Sequence, residues 1–451
     1  MTKLKNLWSN LRSSLWFLPT LIVAASVVLA VALIEADSGV SDEWLARWPR
    51  LFGAGAAGAR GMLSTIAGSM MSVVGVTFSM TLVALSMASS QYTSRILRNF
   101  MSSRVTQAVL GIFAGIFTYC LIVLRTIRGG DEGAYVPALA VFFGFVLAVG
   151  GVGVLIVFIH HVASSIQASS IIASAAEETI EAIARLFPKK LGDSLNESKA
   201  MGQSPPPEED RSWHIVTANK SGYIQSVDNA ALLHLAKAQK TVVRMERGIG
   251  EFVVENTPLA SLALDASPNL ETRVKLQSAF NLRRYRTVEQ DAAFGIRQIV
   301  DVALKALSPG INDTTTGVTC VDYLAMILAR LAPQYFPASH RYEDGALRVI
   351  AKGPSFQSLL SEAFDQIRES ARGNVGIQLR LLDGLQTIAI LTADSGRRQA
   401  LLEHVECIAE LANRTLKSPH DRIRAESRLA EVREALQAGP LLVIEEQSVE
   451  S

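Results

Sequence analysis

The stretch "MLSTIAGSMMSVVGVTFSMTLVALSMASS", residues 62–90, runs 29 residues without a single charge. A helix needs about 20 residues to cross a hydrocarbon core of roughly 30 Å, so this run is long enough to span a bilayer. Three more runs meet the same requirement: Leu15 to Ile34, Val105 to Leu124 and Ala134 to Ile159, each also free of charge. Working outward, hydrophobic residues make up 49% of the chain and charged ones 19%, against roughly 25% charged in an ordinary soluble domain. Almost all the long uncharged runs fall in the first 160 of the 451 residues. The chain therefore reads as a mainly α membrane protein, a membrane half followed by a soluble half, with a length that predicts two to three domains.

Lys3, Lys5 and Arg12 precede the first span, as in a secretory signal. The apolar stretch is longer than a typical signal core and lacks a clear small-residue cleavage site before more membrane sequence, so it is expected to be retained. Four spans put both termini on one side. Lys3, Lys5, Arg12, Arg95, Arg98 and Arg104 then share that side, and Arg47, Arg50, Arg60, Arg125 and Arg128 lie opposite. That distribution leans toward cytoplasmic termini. Cys120 falls inside a span, and Cys320 and Cys407 are widely separated, which fits a reducing compartment better than a disulfide framework.

The expected organisation is a four-span transmembrane domain (1–161), a helical extension (162–191), a linker (192–211), a small β-rich module (212–268), a helical domain (269–438) and a tail (439–451). Between the first two spans, Trp44, Leu45, Trp48, Leu51 and Phe52 outline one face of a short helix at headgroup level or packed on the bundle. In the extension, Ile172, Ala176, Ile180, Ile183 and Phe187 form an apolar stripe at helical spacing. The linker carries three consecutive prolines and no apolar period. "WHIVTANKSGYIQSVD" reads as two strands about a turn at Asn219–Gly222, followed by a helix from Asn229 to Gln239 and the strands of "TVVRME" and "EFVVENTPLASL". This module is expected to be β-barrel-like, similar to the small barrels that carry biotin or lipoate, but without their exposed carrier lysine. From Leu270 to Ala438 the apolar period is helical, as at Ile296, Ile299, Val300, Ala303, Leu304 and Leu307.

Three phrases carry a resemblance: "FSMTLVALSMASSQYTSRILRNF" (78–100), "TQAVLGIFAGIFTYCLIVLRTIR" (106–128) and "RTVEQDAAFGIRQIVDVALKALSPGIND" (286–313). In this order they resemble the bacterial predicted-membrane-protein family catalogued as domain of unknown function 2254, across nearly the whole chain. The resemblance implies a bacterial inner-membrane protein and assigns no activity. Family members continue the last phrase with proline and a threonine–alanine pair, where this chain has Thr314, Thr316 and Gly317.

Thr65, Ser69, Ser72, Ser79, Ser86 and Ser90 recur at helical spacing and share one face of the second span. Hydroxyls so arranged can line a wet path, because their dipoles replace part of an ion's hydration. They equally allow close helix packing, as do Gly68, Gly75, Gly111 and Gly115. Arg95, Arg98 and Arg104 follow at the inner mouth, where they concentrate anions in an oligomer or set topology at the headgroups. His160 and His161 point about 100° apart on a helix and anchor at the interface more naturally than they grip one metal. In the soluble half, Arg286, Gln290, Asp291, Arg297 and Asp301 lead into a loop ending at Asn312 and Asp313. Arg297 and Asp301 can pair across one turn. Pro309 stops the helix, Gly310 suits a left-handed closing residue and Asp313 caps the next helix.

A formal net charge of +1 gives no nucleic-acid footprint. No phosphate loop, paired-histidine zinc motif or nucleophile elbow occurs, so neither catalysis, a metal nor a cofactor is expected. The functional expectation is an oligomeric channel-like protein in the lipid bilayer, with cytoplasmic domains that gate it or sense an ion or small ligand. The alternative is a non-conducting scaffold or signalling partner.

Overall fold

A computed structural model describes residues 16–37, 55–91 (side chains to Ser86), 104–128, 135–165, 167–187, 212–336 and 339–439. The short helix expected around Trp44, the linker 192–211, Arg95, Arg98, the Ser90 side chain and residues 440–451 of the tail lie outside them. The chain divides into two compact units, residues 1–171 and 172–451.

In the N-terminal unit, α1 (Phe17–Asp37), α2 (Ala56–Gln91), α3 (Arg104–Thr126) and α4 (Ala138–Ser165) are long and apolar enough to cross a membrane. Helix α3 is the most enclosed, with Phe113, Ile116, Tyr119, Cys120 and Val123 each at most 3% exposed. Small residues make that possible. A Cβ on Gly111 would meet Pro19 Cα at 2.9 Å, and one on Gly115 would meet Ser26 Oγ at 2.4 Å, so α1 and α3 touch through glycine. The buried Tyr119 hydroxyl donates to Ala140 O at 2.7 Å. Helix ends are satisfied by partners distant in sequence: Leu139 N donates to Asp37 Oδ1 at 2.9 Å and Arg60 Nη2 donates to Ile127 O at 2.7 Å. These bonds satisfy backbone groups that helix ends leave without an intrahelical partner.

The C-terminal unit takes in most of α5 (Ala168–Leu186), where Ile172, Ala176 and Ile183 are buried as the periodicity predicts. Then come β1 (Trp213–Thr217), β2 (Gly222–Val227), α6 (Asn229–Ala238), β3 (Val243–Met245), β4 (Phe252–Val253), β5 (Pro258–Ala263), α7 (Leu270–Ser278) and β6 (Phe280–Arg283). These are followed by α8 (Ala292–Ala306), α9 (Thr314–Leu331), β7 (His340–Glu343), β8 (Ala346–Ile350), α10 (Phe356–Ser370), α11 (Val375–Ile390), α12 (Ser395–Thr415) and α13 (Pro419–Ala438).

The strands form two sheets, ordered β1-β5-β3-β8-β7 and β4-β2-β6. Neither closes, so the expected barrel-like module is instead a pair of small open sheets. The stretch from 270 onward, expected to be helical, contributes three of the strands. β6 pairs antiparallel with β2, and β8 pairs parallel with β3. Parallel pairing requires a long crossover, and here the chain passes through α8 and α9 before β8 returns to the sheet. Helices α6 and α7 cover the strands, placing Leu232 and Leu276 at 0% exposure beside Leu259 and Leu262.

Candidate functional site

On α2, Leu63, Ala67, Met70, Thr77 and Ala84 are buried against the other spans. Thr65, Ser69, Ser72, Ser79 and Ser86 all lie on the opposite, exposed side. Gly68 and Gly75 lie on that side too, and a Cβ on either would meet nothing within 4 Å. The four glycines thus separate: Gly111 and Gly115 pack within the chain, whereas Gly68 and Gly75 do not. A stricter pattern also emerges. Gly61, Gly68 and Gly75 are spaced by seven, as are Thr65, Ser72, Ser79 and Ser86. A seven-residue repeat keeps one seam facing a partner helix through a left-handed crossing, and every one of these residues is exposed. The hydroxyls are also internally bonded. Thr65 Oγ1 donates to Gly61 O at 2.8 Å, Ser69 Oγ to Ile66 O at 2.9 Å and Ser72 Oγ to Gly68 O at 3.1 Å. Their lone pairs are left as acceptors along the face. Arg104 opens α3 in an exposed position.

In the C-terminal unit the polar residues named from sequence serve separate tasks. Arg286 grips Asp291 through two bonds of 2.8 and 3.0 Å, and the Asp291 carboxylate also accepts from Phe294 N at 3.0 Å, capping α8. Arg297 bonds Asp301 at 2.8 Å within α8 and reaches Glu362 on α10 at 3.5 Å. Asp313 caps α9, accepting from Thr316 N at 3.0 Å and from the Thr316 hydroxyl at 2.6 Å. The hydroxyl bond, then the backbone one, holds the Asp313 carboxyl below its ordinary pKa. The left-handed residue of this loop is Asn312, at φ 49°, and Gly310 is not left-handed. Asparagine tolerates that conformation, and it lets Asn312 N donate back to Ser308 O at 2.9 Å.

A cleft of about 850 Å³ opens between the sheets and the helices of this unit. Of the polar set named from sequence, Gln290 and Asp291 line it, together with Phe187 of the apolar stripe and Asn229 at the start of α6. The rest of its polar lining comes from segments that no motif connects. Arg397, in the first turn of α12, lies 4.9 Å from the Phe336 ring and 5.6 Å from that of Phe356, and its Nη1 donates to Ala332 O at 2.6 Å. Burial lowers its pKa, against the opposing pull of Asp394. Lys352 Nζ lies 2.8 Å from Glu251 Oε1. Ser355 and Asp394 cap the helices that begin here, and such caps mark helix starts rather than a cleft.

These features define the class: a membrane protein with four apolar helices, joined to a unit of small open sheets and packed helices. The chain belongs to the predicted membrane protein family DUF2254, which matches residues 12–387. It is 29% identical over 430 residues to an uncharacterised protein of Mycobacterium bovis, covering 94% of this chain and 80% of the relative. An uncharacterised protein of Mycobacterium tuberculosis shares the same identity and coverage. No solved structure matches the chain.

Proposed function

We propose that the chain works as a homo-oligomer in a bacterial inner membrane, with both termini cytoplasmic. In this reading the second spans meet along the exposed Gly–Ser face and line a narrow polar path, which the C-terminal unit opens or closes. The observation that carries the reading is the seven-residue repeat on α2, whose glycines and hydroxyls all face away from the chain's other spans. Small residues gain helix association only when another backbone approaches them, and among the described residues no span supplies one, so the face suits a partner helix. Acceptor lone pairs along it can replace part of an ion's hydration.

The internal bonds of Thr65, Ser69 and Ser72 favour a second reading, because hydroxyls satisfied within their own helix also suit a dry seam. The protein is then a non-conducting scaffold. Purified protein in planar bilayers, carrying single cysteines at Thr65, Ser72 or Ser79 in a Cys407→Ser background, separates the two. The channel gives current, and a water-borne thiol reagent changes it. Thiolate is the reacting form and is disfavoured in an apolar seam, so uniform protection with no current leaves the scaffold. A reporter fused after Ser451 tests the orientation: activity of a periplasmic reporter reverses it.

A further inference from the structure

We propose that the cleft of the C-terminal unit binds a small organic phosphate of the nucleotide class, its phosphate held by Arg397 and its planar body set against the phenylalanines that flank it. The cleft's volume of about 850 Å³ falls in the range of small-molecule sites, about 300–1,000 Å³. The inference rests on the cleft alone and is independent of whether the membrane unit conducts.

Charge is the first ground. Among the described residues, no carboxylate lies within ion-pair distance of the Arg397 guanidinium, and only Nη1 has a hydrogen-bond partner there. A half-buried guanidinium with free N–H groups is an incomplete arrangement, since desolvated charge is costly unless paired. Its planar fork matches two phosphate oxygens. The carboxylates lining the cleft are already engaged. Asp291 is taken by Arg286, Asp394 accepts from Arg397 N at 2.8 Å, and Glu251 is shared between Lys352 at 2.8 Å and Arg247 at 3.3 Å. Two cations on one carboxylate leave positive charge beside Glu251, and Lys352 is half exposed there. The first turns of α6, α8, α10 and α12 all contribute to the lining, through Asn229, Ala292, Phe356 and Gly396. Asp228, Asp291 and Asp394 already cap α6, α8 and α12, so only α10, capped by the uncharged Ser355, adds its N-terminal partial charge to the same sign.

The apolar wall is the second ground, and it separates an organic phosphate from the bare ion. Phe187 and Phe336 meet at 4.7 Å between centroids, Phe336 and Phe356 at 6.3 Å, and all three line the cleft. Phe187 and Phe356 are each 5% exposed and back the half-buried Phe336, so the wall offers apolar contact at Phe336 to a planar group, as it cannot to an inorganic ion. The carboxamides of Asn229 and Gln290 also line the cleft and can read the polar edge of a base.

The test uses the full-length protein in detergent, titrated calorimetrically with ATP, GTP, cyclic di-AMP and cyclic di-GMP, with adenosine, guanosine and inorganic phosphate as controls. At least one nucleotide is expected to bind, and more tightly than its nucleoside or phosphate. Gly353→Glu places a carboxylate in the cleft at a position where a Cβ meets nothing within 4 Å, so the fold is kept while the charge is inverted. It and Arg397→Gln should each weaken binding by roughly tenfold or more, the scale of a lost charge-assisted hydrogen bond. The proposal is overturned if no nucleotide binds, if phosphate alone accounts for the affinity, or if Gly353→Glu binds as wild type does.

Discussion

A Cβ built on Gly295 would lie 2.0 Å from the Thr179 hydroxyl oxygen. Helices α5 and α8 therefore meet backbone to side chain at a point where no other residue type fits. Thr179 is 0% exposed and its Oγ1 donates to Ala175 O at 2.6 Å, so it is held in place and cannot swing aside. Gly295→Ala should cost about 3 kcal/mol or more, the upper range for overpacking a core, read by thermal denaturation followed by circular dichroism. Thr179→Ala in the same chain should recover part of the loss, because it removes the hydroxyl that clashes. Additive losses in the double variant would show that the two positions are not coupled.

Asp291 ties three segments together. It caps α8, takes both arms of Arg286 and lies under Gly250, where a φ of 85° and the 2.5 Å at which an added Cβ would meet Asp291 Oδ2 exclude a side chain. Its side chain is 4% exposed. Asp291→Ala strands a half-buried arginine as well as removing a cap, and should cost about 3–5 kcal/mol. Asp291→Asn keeps an acceptor for Phe294 N and should cost less. Gly250→Ala should destabilise by a similar route, through strain rather than lost charge. Equal, small effects from all three variants, measured by urea unfolding, would remove Asp291 from this role.

What was legible in the sequence followed the range of each interaction. The four spans announced themselves because a bilayer demands long uncharged runs. The strands β6, β7 and β8 were hidden. Each is short and set among helices, and the β7–β8 pair joins the larger sheet through β3, about a hundred residues away. The cleft was hidden for the same reason: Phe187, Lys352 and Arg397 come from three separated segments. The hydroxyl face was legible as a face. Its orientation away from the other spans was not, since periodicity alone does not say which neighbour a helix side meets.

Asp313 gives a pH signature with a definite sign. Its pKa is lowered in the folded chain, first by the Thr316 hydroxyl and then by the Thr316 backbone N–H. A lowered folded pKa means stability that is fully present above the unfolded carboxylate pKa of about 3.9 and is lost as pH falls through the folded value. Asp313→Ala should cost about 0.5–2 kcal/mol near neutrality, and Asp313→Ser should restore most of it. The advantage of wild type over Asp313→Ser should shrink below about pH 4. A gap that stays constant across acid pH would mean the carboxylate charge contributes nothing to the cap.

The glycines of the membrane unit test the proposed packing between chains against the observed packing within one. A Cβ on Gly111 meets Ile22 Cδ1 at 2.8 Å and Pro19 Cα at 2.9 Å, and the Pro19 atom is backbone that cannot yield cheaply. A Cβ on Gly68 or Gly75 meets nothing within 4 Å. Gly111→Leu should therefore disrupt the single chain, lowering its thermal stability and its yield in detergent. Gly68→Leu and Gly75→Leu should leave the single chain as stable as wild type, or slightly more so through better helix propensity. Yet both should abolish self-association, because a leucine on the seam holds the partner backbone away. Cross-linking in membranes and light scattering in detergent read the assembly, and circular dichroism reads the fold. If Gly68→Leu and Gly75→Leu assemble as wild type does, the second span does not meet another copy of itself, and the exposed hydroxyl face is simply a lipid-facing surface.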